Sequence, residues 1–122
     1  LRPHPVSFYR DHLQRLGVTP AAGLAELPDR RQVRLACVII LRQRPSTGKG
    51  ITFVTMEDET GTANLVLHKH IWERFHKVAR HSNAWFVRGR LESRHGVIHV
   101  VVQHLQDMHH ELTHLVSSRD FQ

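Results

Sequence analysis

One short pattern near the end of the chain has the spacing of a hydrolytic metal site. "HELTH", His110 to His114, matches the H-E-x-x-H motif, in which a helix presents two imidazoles to a zinc ion and a glutamate to its bound water. A hydrolase also needs a third ligand, and after His114 only Asp120 could coordinate. Five-residue patterns also arise by chance in a histidine-rich tail. We therefore expect no catalytic residue, no metal and no cofactor, and keep a zinc hydrolase as an alternative.

The remaining reactive side chains do not suggest a catalytic set. Glu57, Asp58 and Glu59 are contiguous in a predicted turn, so we expect them to point in different directions. Cys37 is the single cysteine, which excludes an internal disulfide and fits a reducing compartment. Its place within an apolar strand favours a buried thiol over a nucleophile. "HKH" at 68–70 provides two imidazoles without a third partner at useful spacing.

The charge distribution points to binding rather than catalysis. Residues 32–105 contain eleven Lys and Arg against five acids, whereas residues 1–31 and 106–122 carry +2 and −2, so the central segment carries the net charge of +6. A basic domain is an electrostatic match for a polyanion, most often nucleic acid. The alternative is a solvated basic surface that serves solubility. The apolar run at 35–41 is far shorter than the ~18 residues of a membrane helix, and we expect no membrane partner.

The order of predicted elements indicates the fold. "QVRLACVIILRQRP", "ITFVTMED" and "TANLVL" have the composition of strands, and Gly61 closes the tight turn between the second and third. "HIWERFHKVARH" has the apolar spacing of one helix, and "AWFVRGRLE" and "VIHVVVQHL" are two further strands. The order β-β-β-α-β-β predicts an all-β OB-fold, a five-stranded Greek-key barrel with the helix between strands 3 and 4.

The flanks of the predicted barrel are shorter units. We expect a helical lead-in at residues 1–31, the OB barrel at 32–105 and a polar tail at 106–122. In the lead-in, Phe8, Leu13 and Leu16 fall on one side of a helix that Gly17 ends. Thr19 is the predicted N-cap of a second helix, with Pro20 at its first position.

Strand alternation places one aromatic residue on the outside of the barrel. Val54 and Met56 are predicted to face the core, which leaves Phe53 and Thr55 on the opposite face beside Asn64 of the third strand. A ring that stacks on a base, with cations for the phosphates, is what single-stranded nucleic acid needs. The alternative is that Phe53 packs under a loop or the N-terminal segment.

Basic residues surround that face in the prediction. "VRGRLESRHG" directs Arg88 and Arg90 outward, and the arginine fork can bind two phosphate oxygens. A solvated rim of arginines is the alternative. The predicted nucleic-acid-binding residues are Arg42, Arg44, Lys49, Phe53, Thr55, Asn64, Lys69, Arg88, Arg90, Arg94 and His95. If His68, His70, His95 or His99 lie near the groove, lowering the pH through about 6.5 should tighten binding.

Several stretches together resemble a known family. "HPVSFYRDHL", "RQRPSTGKGITFVTMEDETGTANLVL", "IWERF" and "VRGRLESRHGVIHVVVQHLQDM" closely resemble the C-terminal OB region of bacterial C-family DNA polymerases, the DNA polymerase III alpha subunits. Within that group they are most similar to the error-prone branch that takes part in translesion synthesis and DNA repair. The similarity runs from about His4 to Met108. His68-Lys69-His70 departs from the aromatic and proline that relatives tend to have after the third strand.

The resemblance implies a function for the parent and a smaller one for this chain. The parent would be a DNA-directed DNA polymerase of the bacterial cytoplasm and nucleoid, and this piece, which begins at Leu1, would hold no catalytic residue. The segment "HPVSFYRDHL" would connect it to a preceding helix-hairpin-helix region. The position of Phe53 is similar to the base-stacking Phe of anticodon-binding OB domains, and Asn64 falls near a polar base-reading position there.

The sequence thus predicts a binding module for the single-stranded DNA template. Its expected partners are single-stranded DNA, the other domains of the parent polymerase and translesion accessory proteins. Two alternatives stay open: an anticodon-type domain that binds tRNA, and a protein-protein scaffold within the polymerase assembly. Six phosphate contacts would give a log–log salt slope of roughly −4 for a single strand.

Overall fold

A computed structural model of the chain describes residues 10–45 and 49–108. Five strands form a closed barrel: β1 (Gln32–Gln43), β2 (Thr52–Asp58), β3 (Gly61–Leu67), β4 (Ala84–Arg94) and β5 (Val97–Asp107). They pair in the order β1-β2-β3-β5-β4, and β4 pairs with β1 to close the barrel. The β3–β5 pair is parallel and the others are antiparallel. The predicted all-β OB-fold is confirmed.

Alternation along the strands builds the core. In β2, Thr52, Val54 and Met56 are buried, whereas Phe53, which lies between Thr52 and Val54, is exposed. Trp85 and Leu91 of β4 are fully buried inside the same barrel. Each such aliphatic or aromatic side chain contributes about 1.5–3 kcal/mol by leaving water. The period-2 pattern of the sequence therefore fixes which side chains remain outside.

Cys37 lies in this core, as predicted. Its side chain is 0% exposed, and its Sγ donates to the carbonyl of Trp85 at 3.6 Å. Burial raises the pKa of the thiol, because the thiolate would lose its hydration there. Cys37 is a packing residue.

A helical segment connects β3 to β4. The sequence predicts one helix, but the structure contains two helices after the N-terminal helix α1 (Arg10–Arg15): α2 (Lys69–Arg74) and α3 (His76–His81). Phe75 between them leaves helical geometry, with φ −110° and ψ 22°. Its ring packs edge-on against His104 of β5, with centroids 4.9 Å apart. The helix is thus interrupted at the residue whose ring contacts β5.

The N-terminal helix ends where the sequence predicts. Gly17 has φ +78°, and the amides of Gly17 and Val18 donate to the carbonyls of Gln14 and Leu13, both at 3.0 Å. This is a Schellman motif, which needs the left-handed conformation that glycine adopts readily. Leu13 is buried, whereas Leu16, which follows the last residue of α1, is 41% exposed, so the two leucines do not share one environment. Phe8 lies outside the described residues.

The second helix of the lead-in is a 3-10 helix, Ala21–Glu26. The predicted cap is wrong: Pro20 occupies the N-cap position, and the backbone amide of Thr19 donates to the carbonyl of Arg34 at 2.8 Å. Side chains of the β2–β3 turn take over the capping. The amide of Ala21 donates to Asp58 Oδ2 at 2.8 Å, and that of Ala22 to Thr60 Oγ1 at 3.0 Å.

Asp58 joins the lead-in to the barrel. It is 3% exposed, and its Oδ1 accepts from the amide and hydroxyl of Thr60 at 2.8 and 2.6 Å. Its Oδ2 accepts from Ala21 and, at 3.3 Å, from Arg10, which also forms an ion pair with Glu59. The expectation that these carboxylates diverge is therefore wrong for Asp58 and Glu59, because one guanidinium holds both.

No helix within the two described ranges has the length and apolar character needed to cross a membrane.

Candidate nucleic-acid interface

A groove of about 380 Å³ crosses the outer face of β2, β3 and β5. Its floor is apolar, because Phe53 pairs with Val66 across β2–β3 and Val66 pairs with Val101 across β3–β5. Phe53 remains 43% exposed. An accessible ring on an apolar sheet face is a surface on which a flat heterocycle can stack.

Polar groups lie next to that apolar floor. Asn64 lines the groove and is paired in register with half-buried Thr55. His68 at the end of β3 and His99 on β5 also line it. The ring of His70 stacks on that of His68 with centroids 6.3 Å apart. Amide and imidazole groups beside a stacking ring can donate to or accept from the edges of a base.

The β4–β5 turn forms one side of the groove. His95 and Gly96 have φ of +53° and +79°, the two left-handed residues of a type I′ hairpin turn. The turn brings Val97, which is 62% exposed, to the groove, while Arg94 pairs with Val97 from β4. His95 and Arg94 are exposed at this side, as the sequence predicts.

Two lysines lie near one another: Lys49 in the loop between β1 and β2, and Lys69 at the start of α2. Lys49 is exposed, and Gly50 beside it has φ +79°. A Cβ on Gly50 would lie 2.8 Å from Cβ of Lys69, so the loop backbone packs directly against that side chain. The Lys69 ammonium stays in water, where it pairs with Glu73 at 3.9 Å. The position of Ile51 and His68 in the groove places both lysines near its end.

Glu92 is an acidic residue at the edge of the groove. It accepts from Arg90 at 3.1 Å, and its other carboxylate oxygen lies 3.3 Å from Nε2 of His99. Partial burial acts to raise the pKa of Glu92, but the hydrogen bonds and charges of Arg90 and His99 outweigh it and lower the pKa. Arg90 sits opposite Val101 in register, so this pair borders the apolar floor. A polar cleft beyond it is lined by Asp29, Arg30, Arg90, Glu92 and Arg94.

Arg42 and Arg44 depart from the predicted basic rim. A register shift between Ile39 and Leu41 puts Arg42 opposite Val54, on the side of β2 that faces inward. Its guanidinium donates to the carbonyls of Ala79 and Ser82 at the end of α3. Burial lowers the pKa of Arg42. This arginine stabilises the fold and is not placed to meet a phosphate in the groove.

Arg44 is also held by the domain itself. Its guanidinium lies 4.8 Å from the centroid of the Trp72 ring, and its Nε donates to Thr52 Oγ1 at 3.3 Å. The side chain is nevertheless exposed. Arg44 therefore belongs to the helix-covered end of the barrel.

Arg88 points outward from β4 but does not line the groove. It is exposed and pairs in register with Arg34 of β1 on one side and His104 of β5 on the other. Arg88 and Arg90 are two residues apart on the outer side of β4, and both are exposed. The extra residue in β5 opposite them gives them different neighbours, and they line different clefts.

The sequence did not identify Val101 of the floor or Glu92 at the side of the groove as site residues. It places Val66 on the same face as Phe53, and it names His99 as a residue that could lie near the groove. Alternation gives the outward direction of each of these side chains. The parallel register of β3 and β5, which brings Val101 beside Val66, has no local signal in the sequence.

The metal hypothesis falls outside what the structure describes. "HELTH" and Asp120 lie in residues 109–122, which are not among the described residues. Within residues 10–45 and 49–108, no group of three His, Cys, Asp or Glu side chains could hold a metal ion.

The relatives of the chain agree with the predicted resemblance. It is 52% identical over 122 residues to an error-prone DNA polymerase of Rhodopirellula baltica, covering 99% of this chain and 11% of that protein. An error-prone DNA polymerase of Caulobacter vibrioides is 42% identical over 115 residues, covering 94% of this chain and 11% of its own length. The chain spans about 11% of the length of these relatives. The resemblance stated from the sequence is confirmed.

Solved structures agree on the fold. Asparaginyl-tRNA synthetase from Pyrococcus horikoshii superposes with a TM-score of 0.62 and 23% identity, covering 75% of this chain and 23% of that one. The family model described as "OB-fold nucleic acid binding domain" matches residues 33–108, which include nearly all of the barrel. The chain therefore belongs to the family of OB-fold nucleic acid binding domains.

Proposed function

We propose that this domain binds single-stranded DNA in the groove over β2, β3 and β5. The observation that carries the proposal is Phe53, which is 43% exposed on the apolar floor although its strand neighbours Thr52 and Val54 are buried. Leaving a phenylalanine ring in water costs stability that burial would have given. Stacking on a base recovers it and tolerates any sequence, since every base has a flat face.

The cations around the groove indicate that its ligand is a strand with phosphates and not an isolated nucleobase. Lys49 and Lys69 at one end and Arg90 and Arg94 at the other can meet phosphates on both sides of a stacked base. Asn64 and His99 lie between them, where base edges would pass. Of the six cations behind the predicted slope, Lys49, Arg90 and Arg94 remain when Arg42, Arg44 and Arg88 are removed. With Lys69 the groove has four cations, and the expected salt slope becomes about −3.

The relatives supply the biological setting of the proposal. Because they are named error-prone DNA polymerases, we place this domain within such a polymerase, where it would hold the unpaired template during DNA repair and translesion synthesis. A protein acting on the bacterial chromosome works in the cytoplasm. Polymerization belongs to other parts of the parent, and this domain contributes binding.

The proposal is tested by fluorescence anisotropy of a labelled single-stranded DNA of about a dozen nucleotides. Phe53→Ala should weaken binding by about 1–3 kcal/mol, the value of one stacked base. Ile40→Ala is the matched control, since Ile40 is a 53% exposed apolar residue that does not line the groove. Equal affinities of wild type and Phe53→Ala for the single-stranded DNA would contradict stacking of a base on Phe53.

Binding of an RNA with the same base sequence distinguishes the proposed function from the anticodon-type alternative. Structural likeness to a tRNA synthetase at 23% identity supports the fold and carries no function. A clear preference for an RNA loop over single-stranded DNA would favour the anticodon-type alternative. No binding of either nucleic acid would favour a scaffold within the polymerase assembly.

A further inference from the structure

A row of basic side chains crosses the barrel on the side where β4 closes onto β1. Arg34 of β1 pairs in register with Arg88 of β4, and Arg88 pairs with His104 of β5. Neighbouring strands lie about 4.8 Å apart, so the row is compact. Both arginines are exposed.

A third arginine reaches the row from α2. The Arg74 guanidinium lies 5.4 Å from the centroid of the Phe75 ring, which itself packs edge-on against His104. Partial burial, and then the charges of Arg88 and Arg74, lower the pKa of His104. The positive potential of both arginines therefore extends to this imidazole.

These charges are uncompensated in the described part of the chain. None of the ion pairs among residues 10–45 and 49–108 involves Arg34, Arg74 or Arg88. Arg34 donates to the carbonyl of Leu16 at 3.1 Å, a neutral partner. Like charges directly opposite each other in a sheet destabilise it. By contrast, Arg10 and Arg90 both have carboxylate partners.

The row borders a cleft of about 280 Å³ that also contains apolar surface from Leu16, Val18 and Phe86. Guanidinium groups beside apolar surface suit a sugar-phosphate backbone, in which charged phosphates alternate with deoxyribose. Double-stranded DNA carries one negative charge per about 1.7 Å of its axis. A compact group of three cations therefore gains more from a duplex than from a single strand with its wider charge spacing.

We propose that Arg34, Arg74 and Arg88 form a second binding site, which takes the phosphate backbone of double-stranded DNA. We name this surface the arginine face. Its residues Arg34 and Arg88 line a different cleft from the groove, and its existence does not rest on single-strand binding in the groove. With both surfaces occupied, one barrel would contact the duplex and the single strand of a tailed DNA.

The first test is anisotropy of a labelled blunt duplex with the 122-residue chain across a salt series. Arg88→Gln should weaken duplex binding several-fold and make the log–log salt slope less negative by about 0.9, as for one lost phosphate contact. Arg80→Gln, an exposed arginine of α3, controls for net charge. Equal losses in Arg88→Gln and Arg80→Gln would overturn the site, because they would show a general charge effect.

Phe53→Ala distinguishes duplex binding at the arginine face from single-strand binding in the groove. It should weaken single-strand binding and leave duplex binding unchanged, whereas Arg88→Gln should do the reverse. Loss of duplex binding in Phe53→Ala alone would overturn the arginine face and place the duplex in the groove.

The second test reads the site directly through the His104 ring resonances in NMR. A bound phosphate offsets the arginine charges, so duplex DNA should shift the ring toward its protonated form at constant pH, and Arg88→Gln should reduce the shift. Inorganic phosphate alone and a polyglutamate peptide are the comparison ligands. A shift with polyglutamate and none with duplex would identify an acidic protein as the partner and overturn the proposal. A shift with phosphate and none with duplex would overturn it as well.

Discussion

The groove and the arginine face use the same barrel in opposite ways. The groove has an exposed aromatic ring on an apolar floor, and the carboxylate among its lining residues, Glu92, is paired with Arg90. The arginine face has three guanidinium groups without a carboxylate among the described ion pairs, and its aromatic residue, Phe86, is half-buried. Stacking chemistry and phosphate chemistry are thus divided between two parts of the outer surface of the barrel.

Gly89 is buried in β4 between Arg88 of the arginine face and Arg90 at the edge of the groove, and changing it should have the largest effect. A Cβ at Gly89 would lie 2.5 Å from the carbonyl oxygen of Val101 and 2.7 Å from Cγ1 of Val100. Because backbone must move to relieve this clash, we expect Gly89→Ala to lower the free energy of unfolding by about 3 kcal/mol. Urea unfolding followed by circular dichroism measures it.

Gly23→Ala is the matched control for that substitution. The added Cβ would be 3.6 Å from Cγ2 of Thr19, an ordinary contact, so stability should hold or rise slightly. Similar losses in the two variants would mean that the close crossing of β4 and β5 is not what requires glycine at position 89.

The bulges also explain which parts of the site could be predicted from the sequence. Period-2 alternation correctly placed Val54 inward and Phe53 outward, because both lie in a strand without irregularity. Arg42 was assigned to the wrong surface because the register shift near Ile40 reverses which residues of β1 face inward. Such a shift depends on the partner strand, and nothing in "VIILRQR" marks it.

Tertiary contacts account for the other differences. Arg88 and Arg90 alternate correctly, but the extra residue in β5 opposite them puts them beside different neighbours, His104 and Val101. The break of the predicted helix at Phe75 accompanies a ring contact with β5, some thirty positions further along the chain. Local patterns gave the element types, and long-range register decided which side chains share a surface.

The second prediction concerns the lysines at the end of the groove. The double variant Lys49→Ala/Lys69→Ala removes two phosphate partners, so the salt slope for single-stranded DNA should become less negative by about 1.4. Duplex binding to the arginine face should keep its slope. Lys77→Ala, an exposed lysine of α3, is the control. An unchanged single-strand slope in the double variant would exclude these lysines from the strand path.

The third prediction concerns Glu92. Its carboxylate holds Arg90 and His99 and repels phosphate, so Glu92→Gln should tighten single-stranded DNA binding by roughly 0.5 kcal/mol. Glu26→Gln, an exposed acid on the 3-10 helix, has the same charge change outside the groove and should have less effect. Weaker binding in Glu92→Gln would indicate instead that the carboxylate positions Arg90 and His99 for the nucleic acid.

The smallest expected effect is the pH dependence of stability that the arginine face imposes. Burial, Arg88 and Arg74 lower the pKa of His104 in the folded state, so the unfolded chain binds more protons as the pH falls below the ordinary histidine value of about 6.5. The free energy of unfolding should therefore decrease as the pH falls through that value. In Arg88→Gln the pKa of His104 in the folded state lies nearer its value in the unfolded state, so the decrease in the free energy of unfolding should be smaller.

Urea unfolding of both proteins between about pH 7.5 and 5 measures this difference, to which the histidines that both proteins share contribute equally. Parallel curves would mean that Arg88 does not act on His104, and the compact positive row at the centre of the arginine face would lose its support.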